Sequence, residues 1–597
     1  MESLIEYYTQ RRNEVETQLK NTSRTIHRIG TLRLVLVIVC AVVIWYYWGE
    51  WSIVCAITLP FIIVFGFLIK KHSRLFKRKA YLERSIAFCH TELNALEYNF
   101  SALDGAEERK NPAHPFTFDL DIFGQKSIFQ YINRTCTQFG KNVLADWFEQ
   151  PLSNKAEIIC RQAAIRELAG KEIWMHHFEV TGKEHPVVIS APDQLKIFTT
   201  YPAAFPANSI WKIFKYVIPV CWLLYFAGLA LGWFPIQSLP LVIIAGIVAG
   251  ESQYKKIDKL QHRTGKEVLF FSGYSGLIRL VETENFDAEL LNELKNTFKP
   301  NDTNASDIIR TLSRLLHDLE LRENKLARIF LNVLLLWDIR KALQIEQWKK
   351  QHSQQLACWM NALGSFDALI SLGRFTFNHP DYIFPEITDY YFQMEGKSLG
   401  HPLLHRDSCV RNDIGIQSHP HFMIVTGANM AGKSTYLRTV GVNFLLSCIG
   451  SPVCAQSLRI HPAALYTSLR TSDSLSDQES YFFAELKRLK MIIDELNAGK
   501  KLFIILDEIL KGTNSVDKQK GSLALIRQFI SLKTCGIIAT HDILLGELEK
   551  SFPSTIQNYH FDAEIHDAEL RFPYKMQTGV AQNMNACFLM QRMGITV

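Results

Sequence analysis

Three short clusters in the last third of the chain have the residue types and spacing for phosphate chemistry. The first is Gly427-Ala428-Asn429-Met430-Ala431-Gly432-Lys433-Ser434-Thr435, which contains the pattern G-x-x-x-x-G-K-S. Its glycines let the backbone wrap with N–H groups turned toward phosphate oxygens. The lysine then reaches the β- and γ-phosphates, and the next hydroxyl is a ligand for Mg2+. The second cluster is the acid pair Asp507-Glu508, at the end of the apolar run 502–506. Two carboxylates ending a buried strand are costly unless a cation or a substrate uses them. Asp507 is placed to hold the metal and Glu508 to polarise an attacking water. The third is Thr540-His541-Asp542, after the apolar run 536–539. A lone histidine after a strand is more often a satisfied histidine. Its place after the first two clusters gives His541 the position of a γ-phosphate sensor.

Each cluster needs an element to hold it. The run 422–425 reads as a short buried strand before the glycine loop, and a helix is expected from Ser434 onward. Strand-like runs then alternate with helical ones, which predicts an α/β ATPase-type domain with a mostly parallel sheet over about 376–597. Leucine-bearing stretches such as 308–337 predict that the middle of the chain is helical. A length of 597 residues exceeds one compact core, so at least two domains are expected. With 48% hydrophobic and 21% charged residues, a disordered chain is excluded. The twelve cysteines are scattered and form no C-x-x-C pair, which argues against a zinc site or a disulfide framework and for reduced thiols.

Two pairs of apolar segments stand apart from this plan. Segments 34–48 and 51–69 are uncharged and separated only by Gly49 and Glu50. Each approaches the ~20 residues that a membrane-crossing helix needs. Tyr46, Tyr47, Trp48 and Trp51 cluster at the turn, as amphipathic rings do at a membrane interface. A second pair covers 216–233 and about 235–250, with Lys212 and Lys215 before it and Lys255, Lys256 and Lys259 after it. Because the basic residues lie outside both hairpins, the N-terminus and everything beyond 255 are expected on the cytoplasmic side of a bacterial-type inner or plasma membrane, in a multi-pass chain. The plainer alternative is a buried helix hairpin, above all for the second pair, whose last segment is short and contains Pro240. The charged flanks 1–30 and 71–100 either extend the first hairpin as paired helices or form separate solvated ones. Between 24 and 84, ten basic residues face only Glu50 and Glu83, which more than accounts for the formal net charge of +6. Bulk charge therefore does not establish nucleic-acid binding.

The motifs taken together resemble the MutS family of DNA-processing ATPases. TGANMAGKST (426–435) is similar to that family's phosphate loop, including Asn429, which ordinary loops of this kind do not require. Asp473-Ser-Leu475, Ser480-Tyr-Phe482 and Glu485 reproduce its spaced D–L–S–F–E element, DEILKGTNSVD (507–517) its acidic element, and ATHD (539–542) its histidine element. Upstream, 120–152 is similar to the family's core segment, while 366–372 and Gly400-His401-Pro402-Leu403 resemble the lever end and the entry to the ATPase. The resemblance covers about 112–597 and is interrupted by the second apolar hairpin.

The resemblance implies ATP and Mg2+ as cofactors. It gives Glu508 and His541 catalytic roles, Ser434 and Asp507 the metal, and 427–435 the nucleotide. Ser480 would begin a helix that faces the nucleotide of the other subunit, which makes a homodimer the active unit. DNA is the implied partner, held by a clamp of helices. The expected architecture is 1–110 with a transmembrane hairpin at about 32–70, then 111–375 as an all-α core and lever domain with the second hairpin at about 213–250, then 376–597 as the ATPase domain. Two departures matter. The first 110 residues are a candidate membrane hairpin instead of a mismatch-recognition domain with its Phe-x-Glu wedge. Gly400 and Leu510 stand where the family has arginine and glycine. A motor of an ABC-type transporter is the competing reading, with Leu475-Ser-Asp-Gln-Glu479 echoing LSGGQ. The spacing from Asp507 to Asp517 and the lack of polar residues inside the apolar segments oppose it.

Overall fold

Among the residues described by the computed structural model (2–184, 191–200, 205, 210–264, 268–428, 430–470, 481–510, 514–566 and 569–581), all regular structure up to Asn378 is helical and every strand lies beyond it. The first two helices, Glu2–Tyr46 and Trp51–Leu96, are joined by a tight turn at Gly49, whose φ of 108° is open to glycine but strained for other residues. They pair antiparallel beyond the apolar stretch as well, with Arg33 against the His72 ring at 2.6 Å and Arg78 Nη2 donating to Gln18 Oε1 at 3.1 Å. Both apolar windows are long enough to cross a membrane by length and composition, and only 11% and 6% of them is buried. The helix Trp337–Asn378 also passes the length and composition test, but its window is 78% buried, so it is a core helix.

Where the first hairpin meets the helical body the contacts are polar and buried. Arg374, fully buried on the long helix, donates to Glu179 Oε2 at 2.7 Å, to Glu172 Oε1 at 3.2 Å and to Tyr8 Oη at 3.3 Å. Tyr8 in turn donates to Asn378 Oδ1 at 2.8 Å. Glu92, on the second helix, accepts from Arg134 Nε at 2.6 Å and from Asn378 Nδ2 at 2.7 Å. Burial alone would raise the Glu92 carboxyl, but Arg134 and Arg374 hold it below the usual range. Buried charges are tolerated when paired and fully hydrogen-bonded. This joint meets that condition and ties four helices together.

The long helix also organises the segment after it in space. Asp367 accepts from Cys136 N at 3.1 Å, and from Thr137 N and Oγ1 at 2.8 and 2.6 Å, while Thr137 caps the helix Gln138–Glu149 through Gly140 N at 2.9 Å. The contact depends on small residues: a Cβ on Gly364 would lie 2.9 Å from the Phe139 carbonyl, and one on Gly140 would collide with Asp367. The expected helices between 308 and 337 are present as Ala305–Glu320 and Lys325–Leu335.

The C-terminal part holds a six-stranded sheet in the spatial order Met576–Thr578, Ile556–Phe561, His421–Gly427, Cys535–Ala539, Leu502–Asp507, Ala464–Ser468. Its five long strands are parallel, and only the edge strand Met576–Thr578 runs antiparallel. The three strands that carry the motifs are continuous apolar runs because the sheet is buried on both faces. A smaller sheet of Glu386–Ile387, Ser457–Ile460, Met394–Leu399 and Asn412–Ile416 packs beside it, and nothing in the sequence pattern had announced it.

Candidate functional site

The strand order decides how the clusters meet. Cys535–Ala539 lies between the strand of the glycine loop and the strand of the acid pair, so all three parallel strands deliver their C-terminal ends to one rim. In open sheets of this kind ligands bind outside the carboxyl ends of the strands. After His421–Gly427 the chain turns through Gly427 (φ 146°), Met430 (φ 66°) and Gly432 (φ 104°) into the helix Lys433–Cys448, one residue earlier than Ser434. A Cβ on Gly427 would stand 2.6 Å from the Phe561 carbonyl oxygen, and one on Gly432 would meet the Tyr574 ring at 3.0 Å. The cradle is thus closed to larger residues at both glycines. Ala431 is buried and Met430 exposed at the loop's tip.

Lys433 is buried at the base of the loop, its ammonium donating to the carbonyls of Gly427 and Ala428 at 2.8 Å each. His541 Nε2 lies 3.5 Å from the same ammonium. Burial and the Lys433 charge push the His541 imidazole below its ordinary range, so it is neutral at physiological pH. Ser434 Oγ donates to Asp507 Oδ2 at 2.5 Å. Glu508 follows with φ 47°; its N–H donates to Ala539 O at 2.9 Å, and its Oε1 accepts from Lys518 Nζ at 2.7 Å. Beyond it Leu510 has φ 59°, a left-handed conformation that glycine adopts most easily. Its N–H donates to buried Glu485 Oε1 at 2.5 Å. Thr435 lies exposed in the first turn of the helix.

These groups open on one cavity of about 520 Å3, whose far wall is made by Leu404, Val410, Asn412, Phe561 and Tyr574. A hydroxyl and a single carboxylate, completed by phosphate oxygens and water, suit a Mg2+ held with its nucleotide. No group of three or more His, Cys, Asp or Glu side chains capable of holding a metal alone occurs among the described residues. The donor set and the closed glycine cradle therefore fit a metal–nucleotide complex. Asn429 and Ser480 lie outside the described residues.

Several residues of the site carried no sequence signal. Lys518 is one turn into the helix Ser515–Ser531, and the far wall comes from segments remote from every motif. Outside the cavity, Asp119 accepts from Thr467 Oγ1 at 2.6 Å and from Leu469 N at 3.1 Å, while Asp121 accepts both Arg470 guanidinium N–H groups at 2.5 and 2.6 Å. The segment near 120 is thereby bolted to the end of the sheet's edge strand.

Comparison with known proteins agrees with this geometry. The family model described as MutS domain V matches residues 423–591, and that of MutS domain III matches 111–180. These matches support MutS family membership. Among MutS relatives, the human "MutS protein homolog 4" is 30% identical over 216 residues, 34% of this chain and 22% of its own length. The "DNA mismatch repair protein MutS" of Thermotoga maritima is 32% identical over 238 residues, covering 39% of this chain and 29% of the relative. That of Aquifex pyrophilus is 34% identical over 209 residues, 34% and 24% respectively. The chain thus aligns with less than a third of the length of each of these MutS proteins.

Proposed function

We propose that this chain is a membrane-anchored, MutS-like ATPase whose paired subunits act as a clamp on DNA. The observation that carries the ATPase reading is the convergence of Lys433, Ser434, Asp507, Glu508 and His541 on one cavity at the carboxyl ends of parallel strands. The loop 427–435 and the positive end of the helix Lys433–Cys448 bind the phosphates of ATP, with Lys433 drawn from its own loop carbonyls toward the β- and γ-phosphates. Ser434 and Asp507 would hold Mg2+, and the metal when bound would supply neutralisation of charge developing on the phosphates. Glu508 takes the proton of the attacking water, and Lys518 keeps its carboxylate in place. Neutral His541 donates a hydrogen bond to a γ-phosphate oxygen and reports its loss. In a dimer, Ser480 reaches the nucleotide of the partner. The exposed apolar windows of Glu2–Tyr46 and Trp51–Leu96 support the membrane anchor, and the names of the relatives support DNA as partner.

The test is ATP turnover by the full chain in detergent, alone and with duplex, mismatched, branched or single-stranded DNA. Stimulation by at least one of them is expected. If none binds or stimulates while basal turnover is intact, the DNA clamp is wrong and the ATPase stands.

A further inference from the structure

The second apolar hairpin does not stand alone. Its first arm, Trp211–Ala230, is long enough to cross a bilayer, but its second, Ile236–Glu251, is shorter: 3 residues of 3-10 helix followed by 13 of α-helix. At about 2.0 Å per residue for the first part and 1.5 Å for the second it measures about 25 Å, some 5 Å short of the ~30 Å hydrocarbon core. A third helix, Lys325–Leu335, is packed against this shorter arm. Gly246 and Gly250 make the approach possible: a Cβ on Gly246 would lie 2.8 Å from Val333 Cγ1, and one on Gly250 2.9 Å from Asn332 Cβ. Gly-x-x-x-Gly spacing of this kind lets helices meet closely where the solvent is lipid. The indole of Trp222, buried on the first arm, donates to Val333 O at 2.8 Å and locks the third helix in place.

The third helix turns apolar side chains outward. Leu326 is 82% exposed, Phe330 66% and Ile329 40%, beside the equally exposed apolar side chains of the hairpin. At the same end the charges gather: Arg328 Nε lies 3.3 Å from Glu251 Oε1, and the guanidinium groups of Arg322 and Arg328 sit over the Tyr254 ring at 4.9 and 5.0 Å. Across 210–259 and 322–335 eight basic residues face three acidic ones, and none of them falls between 216 and 250. An apolar face rimmed by cations and an aromatic ring matches the boundary between acyl chains and anionic headgroups.

We propose that Lys325–Leu335 is an interfacial helix that lies in the headgroup layer of an anionic bilayer, with Leu326, Ile329 and Phe330 among the acyl chains. It completes the short arm of the hairpin, and Arg328 neutralises Glu251 where the shortfall would leave that carboxylate below the headgroups. This rests on the membrane reading given above. The far end of the core helix Trp337–Asn378, which follows directly after Leu336, would then be held at the membrane surface.

The test uses the full chain carrying benzoylphenylalanine at Leu326, at Phe330 or, as reference, at Ile62 in the first hairpin. Each variant is reconstituted in vesicles of phosphatidylglycerol and phosphatidylethanolamine, irradiated and analysed by mass. All three positions are solvent- or lipid-facing, so the substitution leaves the packing intact. Lipid adducts are expected at all three. Adducts at Ile62 but only protein cross-links or none at Leu326 and Phe330 would overturn the interfacial helix and leave the anchor standing. No lipid adduct at Ile62 would overturn the anchor, and this proposal with it.

Discussion

Glu508 leaves its strand in a left-handed turn and is met by Lys518, so its carboxylate is aimed before any substrate arrives. Glu508→Gln keeps the shape but cannot take a proton. It should bind ATP normally while turnover falls by about 10²–10⁴; equilibrium binding and steady-state phosphate release check the two halves. Lys433→Ala removes the only side-chain charge in the loop and should abolish ATP binding, read in the same binding assay. Acid sensitivity comes from buried histidines, among them His114, His379 and His401, each pushed below its ordinary range by burial. His379 is buried, its ring held between the Phe375 carbonyl at 2.7 Å and Tyr131 Oη at 2.8 Å. Burial pushes its pKa from 6.5 down to about 4. A folded value below the unfolded one means that the unfolded chain binds the proton more readily. The stability from this histidine is therefore complete above pH 6.5 and is lost as pH falls toward 4, roughly 3 kcal/mol in all. Thermal melts between pH 7 and 4.5 should show that loss, and His379→Gln should reduce its slope by the share of this one residue.

Among the elements, the polar joint at Arg374 is the point of greatest sensitivity. Arg374→Met would leave Glu179 and Glu172 buried against an apolar side chain, a change that costs on the order of 3–5 kcal/mol. Thermal denaturation should register it, and the first hairpin should become more open to proteolysis near residues 1–12. The glycine loop and the three strands of the site were legible in the sequence because a sheet buried on both faces writes itself as unbroken apolar runs. The small sheet was not, since its strands are only two to six residues long and pair across wide gaps in sequence. The same reason hid the far wall of the cavity. Leu510 illustrates a subtler limit. The sequence shows that a glycine is missing there, but only the structure shows that the backbone keeps φ 59° regardless, with the leucine side chain buried against Gly521. A Cβ at Gly521 would come within 2.6 Å of it. Burial of that side chain offsets a backbone cost of about 1–2 kcal/mol.

For the whole molecule, the proposed anchor predicts that the protein stays with membranes through salt and carbonate washes. A cysteine introduced near Gly49 should be labelled from outside and one near 450 should not. The proposed pairing predicts complementation: Ser480→Ala and Lys433→Ala subunits, each inactive alone, should regain part of the turnover when mixed, because one composite site in each mixed dimer is intact. Activity as low as that of either variant, in mixtures where mixed dimers form, would place Ser480 outside the partner's site. The helix Trp337–Asn378 gives this arrangement a scale. It is gripped at Asp367 by the cap of the helix Gln138–Glu149 and at Arg374 by the helix Glu172–Gly182 and by Tyr8 of the first hairpin, while its other end is free of these grips. From Asp367 back to Trp337 is 30 residues, about 45 Å of rigid rod. A rocking of about 5° at the gripped end would sweep the distal tip through about 4 Å, most of one helical turn. An angular change of that size would be magnified into a stroke comparable to the thickness of a headgroup layer.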